Sequence, residues 1–93
     1  MLIKSDSHTV GSTIRWRVKY GQWIENTAYI TNASTVVSSD SNYVVSGLTV
    51  EGKDLVFLVA GGVLNLSVTL TVTMVDSLGN HLIDTVNLIG VNP

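Results

Sequence analysis

The chain has no cysteine, a single proline and a single phenylalanine, and only 13% of its residues are charged. Without cysteine there is neither a disulfide framework nor a thiolate metal site, the two usual supports of a small domain. Oligomerisation or docking onto a neighbour is the expected support in their place. Three lysines and two arginines stand against five aspartates and two glutamates, a formal net charge of -2. Nothing in that balance neutralises a phosphate backbone, so nucleic acid is not an expected partner. Long apolar runs are missing too: the longest, residues 55–66, is broken by Gly61-Gly62 and Asn65, where a membrane-spanning helix needs about 20 apolar residues. The opening Met1-Leu2-Ile3-Lys4 turns polar at once and lacks the apolar stretch of a secretory leader, so neither a membrane nor secretion is expected, and the protein is placed in a cytoplasm.

With 93 residues the chain has room for one domain. Residues 13–93 are expected to form it, with residues 1–12 as an extended amino-terminal arm. Valine and threonine are abundant, and both suit a pleated surface better than a helix. Residues 13–20 alternate strictly, with Ile14, Trp16, Val18 and Tyr20 on one face and Thr13, Arg15, Arg17 and Lys19 on the other. Thr27–Thr31 and Thr35–Val37 read as further strands. Ser38-Ser39-Asp40-Ser41-Asn42 reads as a loop, because its side chains compete for backbone hydrogen bonds. Tyr43–Val45 and Leu48–Val50 lead through the turn Glu51-Gly52-Lys53-Asp54 into Leu55–Ala60, which is apolar on both alternations, as for a strand covered on two sides. Residues 67–75 place Val68, Leu70, Val72 and Met74 inward and Thr69, Thr71 and Thr73 outward, and residues 81–89 return across a turn at Gly79. About seven short antiparallel strands and no helix make an all-β sandwich the expected fold.

Chemistry is sparse. His8 and His81 lie far apart and read as surface histidines, since metal binding or base catalysis needs converging partners. Asp76 and Asp84 read as solvated turn charges. The serine-rich loop has no accompanying histidine and no nucleophile elbow. Gly61-Gly62 is followed by nothing resembling a phosphate loop, and Asp40-Ser41-Asn42 lacks the glycine and glutamate of a calcium loop. No catalytic residue, cofactor or metal is expected, and the protein is not read as an enzyme. Interaction residues are easier to nominate. Trp23 follows Gly21-Gln22 where the alternation breaks, and reads equally as the edge of the core or as an exposed aromatic anchor. Arg15, Arg17 and Lys19 form a basic stripe, and Leu2 and Ile3 are candidates for an arm that adds to a neighbouring sheet.

The order Ile14-x-Trp16, Ile30, Gly47-Leu48-Thr49-Val50, Leu58-Val59-Ala60-Gly61-Gly62, Val68-x-Leu70-x-Val72-x-Met74 and a Gly79 turn, over roughly residues 13–91, resembles a family of short Ig-like β-sandwich proteins among the virion genes of tailed bacteriophages. The resemblance implies an Ig-like sandwich and a non-enzymatic virion structural protein. Its role would be that of a small docking module linking fibres to the tail or neck, or of a capsid decoration (cement) protein. It implies other virion proteins as partners, a homo-oligomer or symmetric multi-copy assembly, and a virion location reached from the host bacterial cytoplasm. A carbohydrate-binding adhesion domain is the competing expectation, with Trp23, Tyr29 and Tyr43 as stacking platforms.

Overall fold

A computed structural model describes residues 2–93, with side chains described from Lys4 onward. Seven strands run in the order β1 (Leu2–Thr9), β2 (Thr13–Lys19), β3 (Thr35–Ser38), β4 (Tyr43–Glu51), β5 (Asp54–Gly61), β6 (Ser67–Val75) and β7 (His81–Val91). They form two sheets, of order β1-β7-β6-β3 and β2-β5-β4. The sheets pack face to face, and the protein is an all-β sandwich.

Inward positions follow the period of two that the sequence carries. From one sheet come Val68, Leu70, Val72, Met74, Val86 and Leu88, and from the other Val18, Leu55, Phe57 and Val59, all in one buried cluster. Half-buried Trp16 packs against this cluster from β2, which is an edge strand. The β6–β7 hairpin keeps continuous register from Ser67↔Ile89 to Val75↔His81. On its outer face the threonine ladder of β6 is matched across strands: Thr71 lies opposite Thr85 and Thr73 opposite Thr35. The Thr69 hydroxyl stands 3.1 Å from the Asn87 side-chain oxygen. Cross-strand pairs of this kind stabilise a solvent face without a ligand.

Two features depart from expectation. Residues 27–31 do not form a strand; only Ile30 makes a bridge, to Asp76, within a loop of residues 20–34 that caps one end of the sandwich. Ala28 and Ile30 are buried there, so burial rather than ladder pairing holds the segment. The strands are also not all antiparallel. β1 lies parallel to β7, from Lys4↔Val86 to Thr9↔Val91, with a register irregularity between Leu2 and Lys4. The extended amino-terminal segment thus runs along the sheet edge.

The capped end holds loop 20–34, the β4–β5 turn and the β6–β7 turn. At the opposite end the chain turns at residues 10–12, 39–42 and 62–66. Tyr43 plugs that second end: it is 1% exposed, and its hydroxyl donates to the Leu66 carbonyl at 2.7 Å. The His8 ring stands edge-on to it at 5.7 Å.

Candidate interaction surface

Loop 20–34 is shaped by what happens after β2. Tyr20 is the last residue of the alternation and turns inward, its hydroxyl donating to the Asp84 carboxylate at 3.2 Å. Burial, reinforced by that carboxylate, pushes the Tyr20 phenol well above its ordinary value. A turn then closes with the Trp23 N–H donating to the Tyr20 carbonyl at 2.9 Å. Beyond the turn Ile24 is buried while Trp23 faces out. Trp23 borders a hollow of about 190 Å³ together with Tyr20, Leu82, Ile83 and Asp84.

The same end exposes three more large side chains: Tyr29 is 64% exposed, Ile83 59% and Leu78 55%, beside 63% for Trp23. They sit on a braced support. The Tyr29 N–H donates to the Ser77 hydroxyl at 3.0 Å, and the Ser77 N–H donates back to the Tyr29 carbonyl at 2.8 Å. The Ser77 turn is in turn held by the Asp76 carboxylate, which accepts from the Leu78 N–H at 2.9 Å, the Asn80 N–H at 2.8 Å and the Asn80 side-chain amide at 3.0 Å. These bonds, the Asn80 side chain foremost, hold the Asp76 carboxyl below its ordinary value. A scatter of single apolar residues is normal on a protein surface, whereas several together at one end are a candidate contact site.

The basic stripe lies on the outer face of the three-stranded sheet, and much of its charge is matched within the chain. Arg15 meets Glu51 at 2.7 Å, and Arg17 meets Asp54 at 2.7 Å and Glu51 at 2.8 Å. Hydrogen bonding to Asp54 and then Glu51 raises the Arg17 guanidinium further, and the Arg17 bond lowers the Glu51 carboxyl. The register partner of Arg17, Val56, is 3% exposed although it points away from the core. Lys19 extends the stripe opposite Asp54. No family model matches this chain, and no curated protein is significantly similar to it. What the surface can do follows from its own residues.

Of the nominated contact residues, Trp23 is on the exposed end and Arg15, Arg17 and Lys19 are on one face of β2. The side chains of Leu2 and Ile3 lie outside the described residues; the Leu2 backbone pairs with Thr85, next to the Ile83-Asp84 step that flanks Trp23. Tyr29 was nominated only as a sugar platform, and Leu78 and Ile83 were missed. Their signals were an apolar residue inside the turn Asp76-Ser77-Leu78-Gly79-Asn80 and another at an outward position of β7.

Several expectations about polar residues are corrected. His8 is not on the surface: it is 2% exposed, and its Nε2 has no hydrogen-bond partner. It follows the inward parity of β1 at the place where the strand meets Gly62 and Tyr43. Asp76 and Asp84 are not solvated: both are buried, one receiving the turn's N–H groups and the other the Tyr20 hydroxyl. Tyr43 cannot serve as a stacking platform, because it is the buried plug. Among the described residues no three His, Asp or Glu side chains are grouped to hold a metal ion, and no helix is long and apolar enough to cross a membrane.

Proposed function

We propose that this protein is a non-enzymatic structural module of a tailed-phage virion that docks other virion proteins, joining fibres to the tail or neck. The single observation that carries the docking part is the braced end at which Trp23, Tyr29, Leu78 and Ile83 are all more than half exposed. Aromatic and aliphatic anchors on a preorganised support bind with little ordering cost. The virion part rests on the sequence resemblance. The strand order β1-β7-β6-β3 opposite β2-β5-β4 supports its Ig-like component, since it is the order of such a sandwich with the first strand placed beside the last. In a symmetric, multi-copy particle a small contact per copy suffices, because the second and later contacts are effectively intramolecular. Capsid decoration is the alternative position for the same module. The carbohydrate reading keeps Trp23 and Tyr29 but loses Tyr43.

The test is gold-labelled antibody against the recombinant protein, imaged on phage particles recovered from cells that carry the gene. Label on the tail, neck or fibre base is the expected result. Label on the head moves the module to capsid decoration, and particles without label overturn the virion reading.

A further inference from the structure

The sheet β2-β5-β4 is one strand narrower than its partner, and the missing width lies beside β2. On the opposite flank the sandwich closes, because β3 and β4 approach each other; among the described residues β1 and β2 make no comparable approach. β1 therefore overhangs an open flank. Lys4 and Asp6 have the register of the inward residues Val86 and Leu88, yet both are exposed. The Lys4 ammonium sits 5.7 Å from the centre of the Trp16 ring. Beneath it is a hollow of about 360 Å³ bordered by Ile14, Trp16, Val18 and Val86, with Lys4, Asp6, Arg15 and Arg17 also on its lining.

The ladder phase fixes which backbone groups face this flank. The Tyr20 N–H bonds to the Lys53 carbonyl at 2.9 Å, so Val18, Trp16 and Ile14, at even spacing from it, exchange bonds with Leu55, Phe57 and Val59. The N–H and C=O groups of Thr13, Arg15, Arg17 and Lys19 then point away from β5 into the open flank.

We propose that β2 is an acceptor edge for an extended segment of another protein, which adds as a fourth strand to this sheet and carries apolar and acidic residues in alternation. Its backbone meets the outward groups of residues 13–19. Its inward apolar side chains fill the hollow over Trp16, opposite β1. Its outward acidic side chains lie beside Arg15, Arg17 and Lys19, a stripe of three cations facing two carboxylates within the chain. The charge also argues against a second copy as occupant. Pairing β2 with β2 about a two-fold axis sets arginine and lysine against arginine and lysine, and like charges directly across a ladder repel. The proposal rests on the docking reading only in requiring a partner, and it uses residues separate from the Trp23 end.

The test uses the full chain labelled with ¹⁵N and two synthetic peptides, one alternating valine with aspartate and one alternating valine with lysine. Millimolar acidic peptide is expected to slow hydrogen exchange at the N–H groups of Thr13, Arg15, Arg17 and Lys19, with the lysine peptide binding about tenfold more weakly. Arg15→Pro removes one outward N–H without touching the β5 ladder and is expected to abolish this protection. Should that variant fail to fold, Arg17→Glu keeps the backbone and is expected to reverse the preference between the peptides. Unchanged exchange at these four N–H groups with the acidic peptide, or equal binding of both peptides, overturns the proposal. So does a peptide-free dimer in which the same N–H groups are already protected. None of these results bears on where antibody labels a particle, so the two readings fail separately.

Discussion

Gly90 offers a graded test of how the plugged end is built. It has no left-handed backbone angle, and its requirement is spatial. A Cβ there would overlap the Val63 carbonyl oxygen, and would lie 2.7 Å from the carbonyl carbon and 2.9 Å from the Tyr43 hydroxyl. The obstacle is backbone, and it is tied down: the Asn65 N–H donates to the Gly90 carbonyl at 2.9 Å, the Gly90 N–H to the Leu66 carbonyl at 3.2 Å, and the Tyr43 hydroxyl to the same carbonyl at 2.7 Å. Gly90→Ala must lift residues 63–66 and break those three bonds. At ~1 kcal/mol net for each, the loss is about 3 kcal/mol. For a domain of this size that lowers Tm by about 12–24 °C. Two controls isolate the cause. Gly79 has φ +87° and nothing within 4 Å of the added methyl, so Gly79→Ala meets only left-handed strain of about 1 kcal/mol. Gly21 has neither obstacle, and Gly21→Ala stays within about 0.5 kcal/mol of the parent. Thermal unfolding followed by far-ultraviolet circular dichroism at neutral pH should rank the three in that order. A Gly90→Ala protein as stable as Gly79→Ala refutes the reasoning.

Other consequences can be checked with the same material. Asp76 and Glu51 are held below their ordinary values of 3.8 and 4.5 in the fold, so the folded chain binds their protons less tightly than the unfolded chain does. Their contribution is complete above those values and is lost as pH falls through and below them; Tm should drop from about pH 6 to about pH 2.5, and drop less for Asp76→Asn, whereas parallel profiles for the two proteins would contradict this. Tyr43→Phe leaves the Leu66 carbonyl without its 2.7 Å donor and should cost about 1–2 kcal/mol in urea unfolding. Trp23→Ser should leave Tm unchanged within about 2–4 °C, since the indole is 63% exposed; a large drop would make Trp23 a support of the loop rather than a contact residue.

The sheets were legible in the sequence wherever one face is buried and the other solvated. Residues 13–19 and 67–75 announce their register through alternation alone, and the polar cluster of residues 38–42 marks a true reversal. Residues 27–31 misled because Ala28 and Ile30 are buried as pegs of a capping loop, and a short alternating stretch looks the same in either role. β1 left no apolar pattern, because its inward residues Lys4 and Asp6 hang over an open flank. Its parallel pairing joins opposite ends of the chain, which no local pattern encodes. For Trp23 the broken alternation left burial and exposure equally open, and the side chain is 63% exposed. Its companions were not legible, since the bond between Tyr29 and Ser77 spans 48 positions. Gly90 carries no turn signal at all, because what it needs is space beside a distant carbonyl.

The parallel pairing of β1 with β7 also decides how the molecule bears a load. Both strands run from the capped end to the plugged end, so the chain enters near Thr85 and leaves beyond Val91. Tension applied between the two termini pulls β1 and β7 in opposite directions along their shared ladder. The rungs from Lys4↔Val86 to Thr9↔Val91 are then strained together in shear, and none can open first as in a zipper. A part strung between two larger bodies gains resistance to extension from this arrangement without any additional contact.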